Sequence, residues 1–139
     1  MRPAMNRVDD WQGVIRAIID KIRDYPLKVG QHDCIIFASL VESSISKSPK
    51  LTEIFRKRGE YHDDESGIKT FGFEDVWALM DSYLQSNDVN YTQAGDIVGL
   101  QNPNGQKILG VALDSRIAVV TEDGLAFTKM RHAKRSWIV

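Results

Sequence analysis

The sequence has one cysteine and three histidines among 139 residues, and each scarcity excludes something. A single cysteine cannot close an internal disulfide, so the fold does not depend on an oxidising compartment. No apolar run approaches the ~20 residues that a membrane-spanning helix needs. The opening stretch, MRPAMNRVDDW, has no apolar core of the kind a secretory signal carries. Neither sign of charge dominates: 18 Lys and Arg stand against 19 Asp and Glu, a formal net charge of -1. No global field therefore draws the chain to nucleic acid or to a membrane surface. A phosphate-cradling glycine loop and an HExxH pair are both missing, and so are internal repeats and low-complexity stretches. These absences predict no cofactor, no membrane span and no nucleic-acid partner, and they place the chain in the cytoplasm or in a particle assembled there.

What is present predicts one domain over residues 1–139. At this size folding buries roughly 68% of the exposed surface of the chain, enough for a self-sufficient core. Val8, Trp11, Ile15, Ile18, Ile22 and Tyr25 recur at spacings of three and four and form one helical stripe. Asp9 and Asp10 suit the start of that helix, and Pro26 suits its end. A second helix is predicted from Asp33 or Cys34. Its apolar residues, Ile35, Ile36, Phe37, Leu40, Val41 and Ile45, are too many for one stripe, so it should be largely buried. Ser48-Pro49 reads as a cap and first-turn proline for a short helix through Leu51, Ile54 and Phe55. Residues 59–72 read as loop, and Phe73, Val76, Trp77, Met80 and Leu84 mark another helix.

After Asn87 the pattern changes to strands at 96–100, 108–113, 117–121 and 125–128. Asn102-Pro103-Asn104-Gly105 is a turn, Asp114-Ser115 and Glu122-Asp123-Gly124 fit tight hairpins, and Trp137-Ile138-Val139 closes the sheet. Helices first and an antiparallel meander second make an α+β layout, with N-terminal helices packed on a C-terminal antiparallel sheet.

The chemistry centres on Cys34. With Asp33 as helix cap, Cys34 falls in the first turn, where unpaired backbone N–H groups and the helix dipole favour a thiolate. Gly30 allows a sharp approach to the helix. A small buried side chain at a helix start would look the same, and free cysteine is commonly buried. An activated thiol also needs a base. His32, two residues upstream, is the candidate substitute base. Its other reading is a rim side chain or a turn hydrogen-bond donor.

Several ordered elements carry a resemblance. They are Arg7-Val8-Asp9-Asp10-Trp11, Gly30-Gln31-His32-Asp33-Cys34, Arg58-Gly59-Glu60-Tyr61, Gly95-Asp96-Ile97-Val98, Leu109-Gly110-Val111 and Ser136-Trp137-Ile138-Val139. Together they resemble a family of small phage and prophage proteins encoded among tail-assembly genes. That family looks like a divergent branch of the NlpC/P60 cysteine peptidases. The resemblance implies a papain-like core in which the cysteine opens a buried helix packed on an antiparallel sheet. It implies a site of Cys34 as nucleophile and Asp33 as orienting cap, with other tail or tail-tip proteins as partners and peptidoglycan stem peptides as the ancestral substrate. It places the chain in the virion tail, or in the host cytoplasm during assembly.

The resemblance also marks a loss. In the peptidases a histidine opens the strand that holds the motif glycine. Here Gly110 takes the glycine's place, so Ile108 stands where the histidine would be. The following strand, Ile117-Ala118-Val119-Val120, offers no polar third residue. General-base help is commonly worth ~10²–10⁴-fold in rate. The expectation is a tail-associated accessory or assembly protein with a degenerate peptidase site, and not a conventional peptidase. The alternative is a live thiol hydrolase that cleaves stem peptides during phage DNA entry. Of the other candidates, Glu60-Tyr61-His62-Asp63-Asp64-Glu65 matches no metal loop and reads as solvated surface. Lys129-Met130-Arg131-His132-Ala133-Lys134-Arg135 reads as a solvated basic edge. Both are candidate contact surfaces. No metal site is expected.

Overall fold

The computed structural model describes residues 6–60 and 71–139. Among them are four α-helices: α1 (Trp11–Ile22), α2 (Cys34–Ile45), α3 (Thr52–Arg56) and α4 (Val76–Tyr83). Six strands follow: β1 (Ser86–Asn87), β2 (Ile97–Gln101), β3 (Lys107–Ala112), β4 (Arg116–Thr121), β5 (Gly124–Lys129) and β6 (Arg135–Trp137). They form one antiparallel sheet in the order β1-β6-β2-β3-β4-β5. The α+β layout is therefore as expected. The closing segment, however, is an inner strand. β6 runs between β1 and β2, and the two-residue β1 was not foreseen.

Each strand from β2 to β4 alternates between two apolar layers, as the period-two direction of strand side chains requires. Ile97, Leu109, Val111, Ala118 and Val120 join the helices in the main core. Val98, Leu100, Ala112 and Ile117 form a second cluster with Ile108, Val119, Met130 and Ala133. The segment between β5 and β6, which holds Met130 and Ala133, thus covers the sheet face turned away from the helices.

The helices follow from their stripes and caps. α1 buries Ile15, Ile19 and Ile22. It begins after Asp10, which adopts φ 58° and makes no side-chain cap. The ends of the predicted stripe lie outside it: Val8 donates to the carbonyl of Ile45 instead. α2 is apolar nearly all round and buried along its length, and it is the central helix.

Two expectations need correction or restriction. α3 starts at Thr52, not behind Ser48-Pro49. The buried carboxylate of Glu42, on α2, accepts hydrogen bonds from Lys50 N and Leu51 N. It therefore satisfies amide donors at the start of α3 that a local cap would have taken. The 59–72 loop lies largely outside the described residues.

A buried ion pair ties the distant parts together. Arg7 donates to Val139 O (2.9 Å), Ala94 O (2.6 Å) and Asp96 Oδ1 (3.0 Å). Its guanidinium also lies 4.2 Å from the centre of the Trp11 ring. Asp96 further accepts from Gln93 N and Val139 N. Gly95 has φ 92°, and a Cβ there would come within 2.7 Å of Arg7 Nη1. The Gly95-Asp96 step is thus the clamp that starts β2, because only glycine fits beside the guanidinium.

Candidate functional site

α2 is entered through a tight turn. Lys28 and His32 exchange backbone hydrogen bonds of 2.8 Å in both directions. Gly30, at φ 84°, makes the reversal. Asp33 is 3% exposed and holds both sides of this entry. Its Oδ2 accepts from Gly30 N (2.8 Å) and its Oδ1 from Ile36 N (2.9 Å), the latter a helix cap. Cys34 is the first residue of α2 and is partly exposed.

Cys34 lies on a cleft of about 600 Å³ at one end of the sheet. The cleft is walled by the starts of α2 and α4, the β2–β3 turn and the β4–β5 turn. Its apolar lining includes Leu27, Ile35, Val76, Ile108, Val119 and Val120. Its charged lining was missed in the sequence: Glu74, Asp75, Lys107 and Glu122 join Asp33 there. Asp75 gave a signal, as a helix cap; its Oδ1 accepts from Ala78 N at 2.8 Å. Lys107 donates to Asp75 Oδ2 at 3.0 Å and lies 5.0 Å from the centre of the Trp77 ring. Burial works to raise the Asp75 carboxyl, but the hydrogen bonds from Ala78 and Lys107, with the lysine's charge, outweigh it and hold the group below its ordinary value.

The structure brings Cys34 and Asp33 to the cleft and leaves His32 off its wall. The His32 ring packs edge-on against Tyr25, with centroids 5.9 Å apart. Its Nε2 is buried and has no hydrogen-bond partner among the described residues. Burial pushes the imidazole below its usual 6.5, against the opposing pull of Asp33. Ile108 lines the cleft and packs with the second cluster, while its neighbours Leu109 and Val111 join the main core. Its carbonyl accepts from Trp77 Nε1 at 3.1 Å, so the strand is pinned there.

The remaining candidates lie elsewhere. His62 and its acidic neighbours Asp63, Asp64 and Glu65 are outside the described residues, and among the described ones no group of acids, histidines and cysteine suits a metal ion. In the basic stretch, Lys129, Arg131, His132 and Lys134 are exposed, whereas Arg135 pairs with Asp81. Trp137 is fully buried and donates to Asp81 Oδ1. No helix among the described residues is long and apolar enough to cross a membrane.

A family model described as a domain of unknown function, DUF6950, matches residues 6–139. The chain belongs to the DUF6950 family. No curated protein matches it. The DUF6950 match spans the Arg7–Asp96 clamp, the Asp33-Cys34 helix start and every described wall of the cleft. The chemistry available at that cleft is a thiol at a capped helix start, an apolar floor and an excess of carboxylates.

Proposed function

We propose that this chain is a phage-tail-associated accessory or assembly protein on an NlpC/P60-like, papain-like core, whose cysteine cleft binds without cleaving. The observation that carries the reading is the apolar packing at position 108. The resemblance puts the general base there, and Ile108 instead packs with Val98, Leu100, Ala112 and Ile117. A histidine at that position would place a titratable ring in a hydrocarbon cluster, where burial disfavours its charged form. The strand after it, β4, supplies Ile117 and Val119 to the same cluster. The order of motifs along the chain supports the tail assignment. Partners are then other tail or tail-tip proteins, and the setting is the virion tail or the host cytoplasm during assembly.

The test is digestion of purified muropeptides followed by mass spectrometry. The expected result is no new fragment after prolonged incubation. Cleavage that Cys34→Ser abolishes would overturn the reading in favour of a live thiol hydrolase, for which the capped helix start at Cys34 is the supporting feature. Quantitation of the chain in purified tails and in assembly intermediates tests the location, and its absence from both overturns that part.

A further inference from the structure

We propose that the cleft beside Cys34 receives an extended segment of a partner protein that carries a lysine or arginine next to apolar side chains. This deepens the binding reading given above and rests on it. The floor is apolar, with Ile35, Val76 and Ile108 among its residues. Among the described residues, four carboxylates, Asp33, Glu74, Asp75 and Glu122, and one ammonium, Lys107, stand around it. The charges are not equally available. Asp33 is engaged by Gly30 N and Ile36 N. Asp75 is engaged by Ala78 N and by Lys107. Glu74 and Glu122 are exposed, and among the described residues neither has a hydrogen-bond or ion-pair partner.

Charge complementarity then selects the occupant. A carboxylate-bearing segment meets a surplus of negative charge, because Lys107, the one cation among the described lining residues, is already held by Asp75. A wholly apolar segment fills the floor and leaves both glutamates without a counterpart. A lysine or arginine does both jobs: its stem lies along apolar surface while its head stays at the wet rim. Exposed ion pairs contribute little each. The apolar contact therefore supplies most of the affinity, and the glutamates supply the preference. A free small amine covers too little of an apolar floor in a cleft of about 600 Å³ to bind by itself.

The experiment uses fluorescein-labelled peptides with identical apolar flanks and a central lysine, norleucine or glutamate. Anisotropy is read with the full chain at low and at high salt. The lysine peptide should bind about fivefold tighter than the norleucine peptide at low salt, with the glutamate peptide weakest. High salt should erase the difference. The double variant Glu74→Gln/Glu122→Gln, both at exposed positions, should erase it too. Saturating lysine peptide should slow iodoacetamide labelling of Cys34, which places the contact in this cleft. The proposal is overturned if the lysine peptide shows no binding, if lysine and glutamate peptides bind alike, if the preference survives the double variant, or if Cys34 stays unprotected. Its failure without muropeptide cleavage leaves the non-hydrolytic reading intact. A lysine preference accompanied by Cys34-dependent cleavage ends that reading and leaves this one.

Discussion

Replacing Asp96 by asparagine perturbs the buried Arg7–Asp96 clamp at the start of β2. Asp96 accepts hydrogen bonds from Arg7, Val139 N and Gln93 N. Both side chains of the Arg7–Asp96 pair are 0% exposed, so solvent screens them little. Asparagine keeps the shape but removes the charge that faces a buried guanidinium. Either orientation of its amide also points an N–H at a donor. Removing one member of a buried pair costs about 3–5 kcal/mol. A domain's whole stability is about 5–15 kcal/mol, so a large share is lost. The melting temperature should fall by an amount on the order of 10–20 °C. Urea unfolding followed by far-ultraviolet circular dichroism, with the slope unchanged, measures this directly. Arg7→Met/Asp96→Leu should cost less than the two single losses combined, since apolar replacement of a buried pair is often tolerated. A loss below about 1 kcal/mol for Asp96→Asn would refute the clamp.

Three further outcomes follow from the same geometry. Asp33→Ala removes a helix cap and leaves the buried Gly30 N–H without its carboxylate acceptor, so it should cost about 2–4 kcal/mol by urea unfolding; a cost under about 0.5 kcal/mol would contradict the capping role. Gly95→Ala should cost at least about 2 kcal/mol, because alanine is strained at φ 92° and its Cβ meets Arg7; unchanged stability would mean that the guanidinium moves freely. His32 titrates lower in the folded chain than its ordinary 6.5. Between those values the unfolded chain binds more protons, so the contribution of His32 is full above about pH 6.5 and is lost as the pH falls. Melting temperatures of the wild type and His32→Gln should therefore converge on acidification, and a gap independent of pH would count against it.

The layout was legible wherever one local rule decided it. The apolar-all-round run after Asp33 could only be a buried helix, and the alternation from Ile97 onward gave the strands within a residue or so at most ends. What escaped depended on distant partners. β1 is two residues whose strand character comes from pairing with β6, and no period can appear in so short a piece. α3 starts late because a carboxylate from α2 supplies what Ser48-Pro49 seemed to offer. The same holds at the cleft. Cys34 and Asp33 were visible from the helix start, and Ile108 from the resemblance. Glu74, Lys107 and Glu122 sit on a helix approach, a strand start and a turn, and only the folded sheet brings them together. His32 was readable as a residue but not as a direction: the turn closed by Lys28 sends its ring to Tyr25.

Cys34 opens a capped helix on the cleft, and we propose that it does so without serving as an activated nucleophile. The rate of Cys34 alkylation by iodoacetamide, followed against pH by mass spectrometry, tests it most directly. The expected result is labelling that is slow at neutral pH and still climbs as the pH is raised into the alkaline range. A fast reaction already at its plateau near pH 5 would contradict it, because only a base-paired or otherwise stabilised thiolate reacts that way.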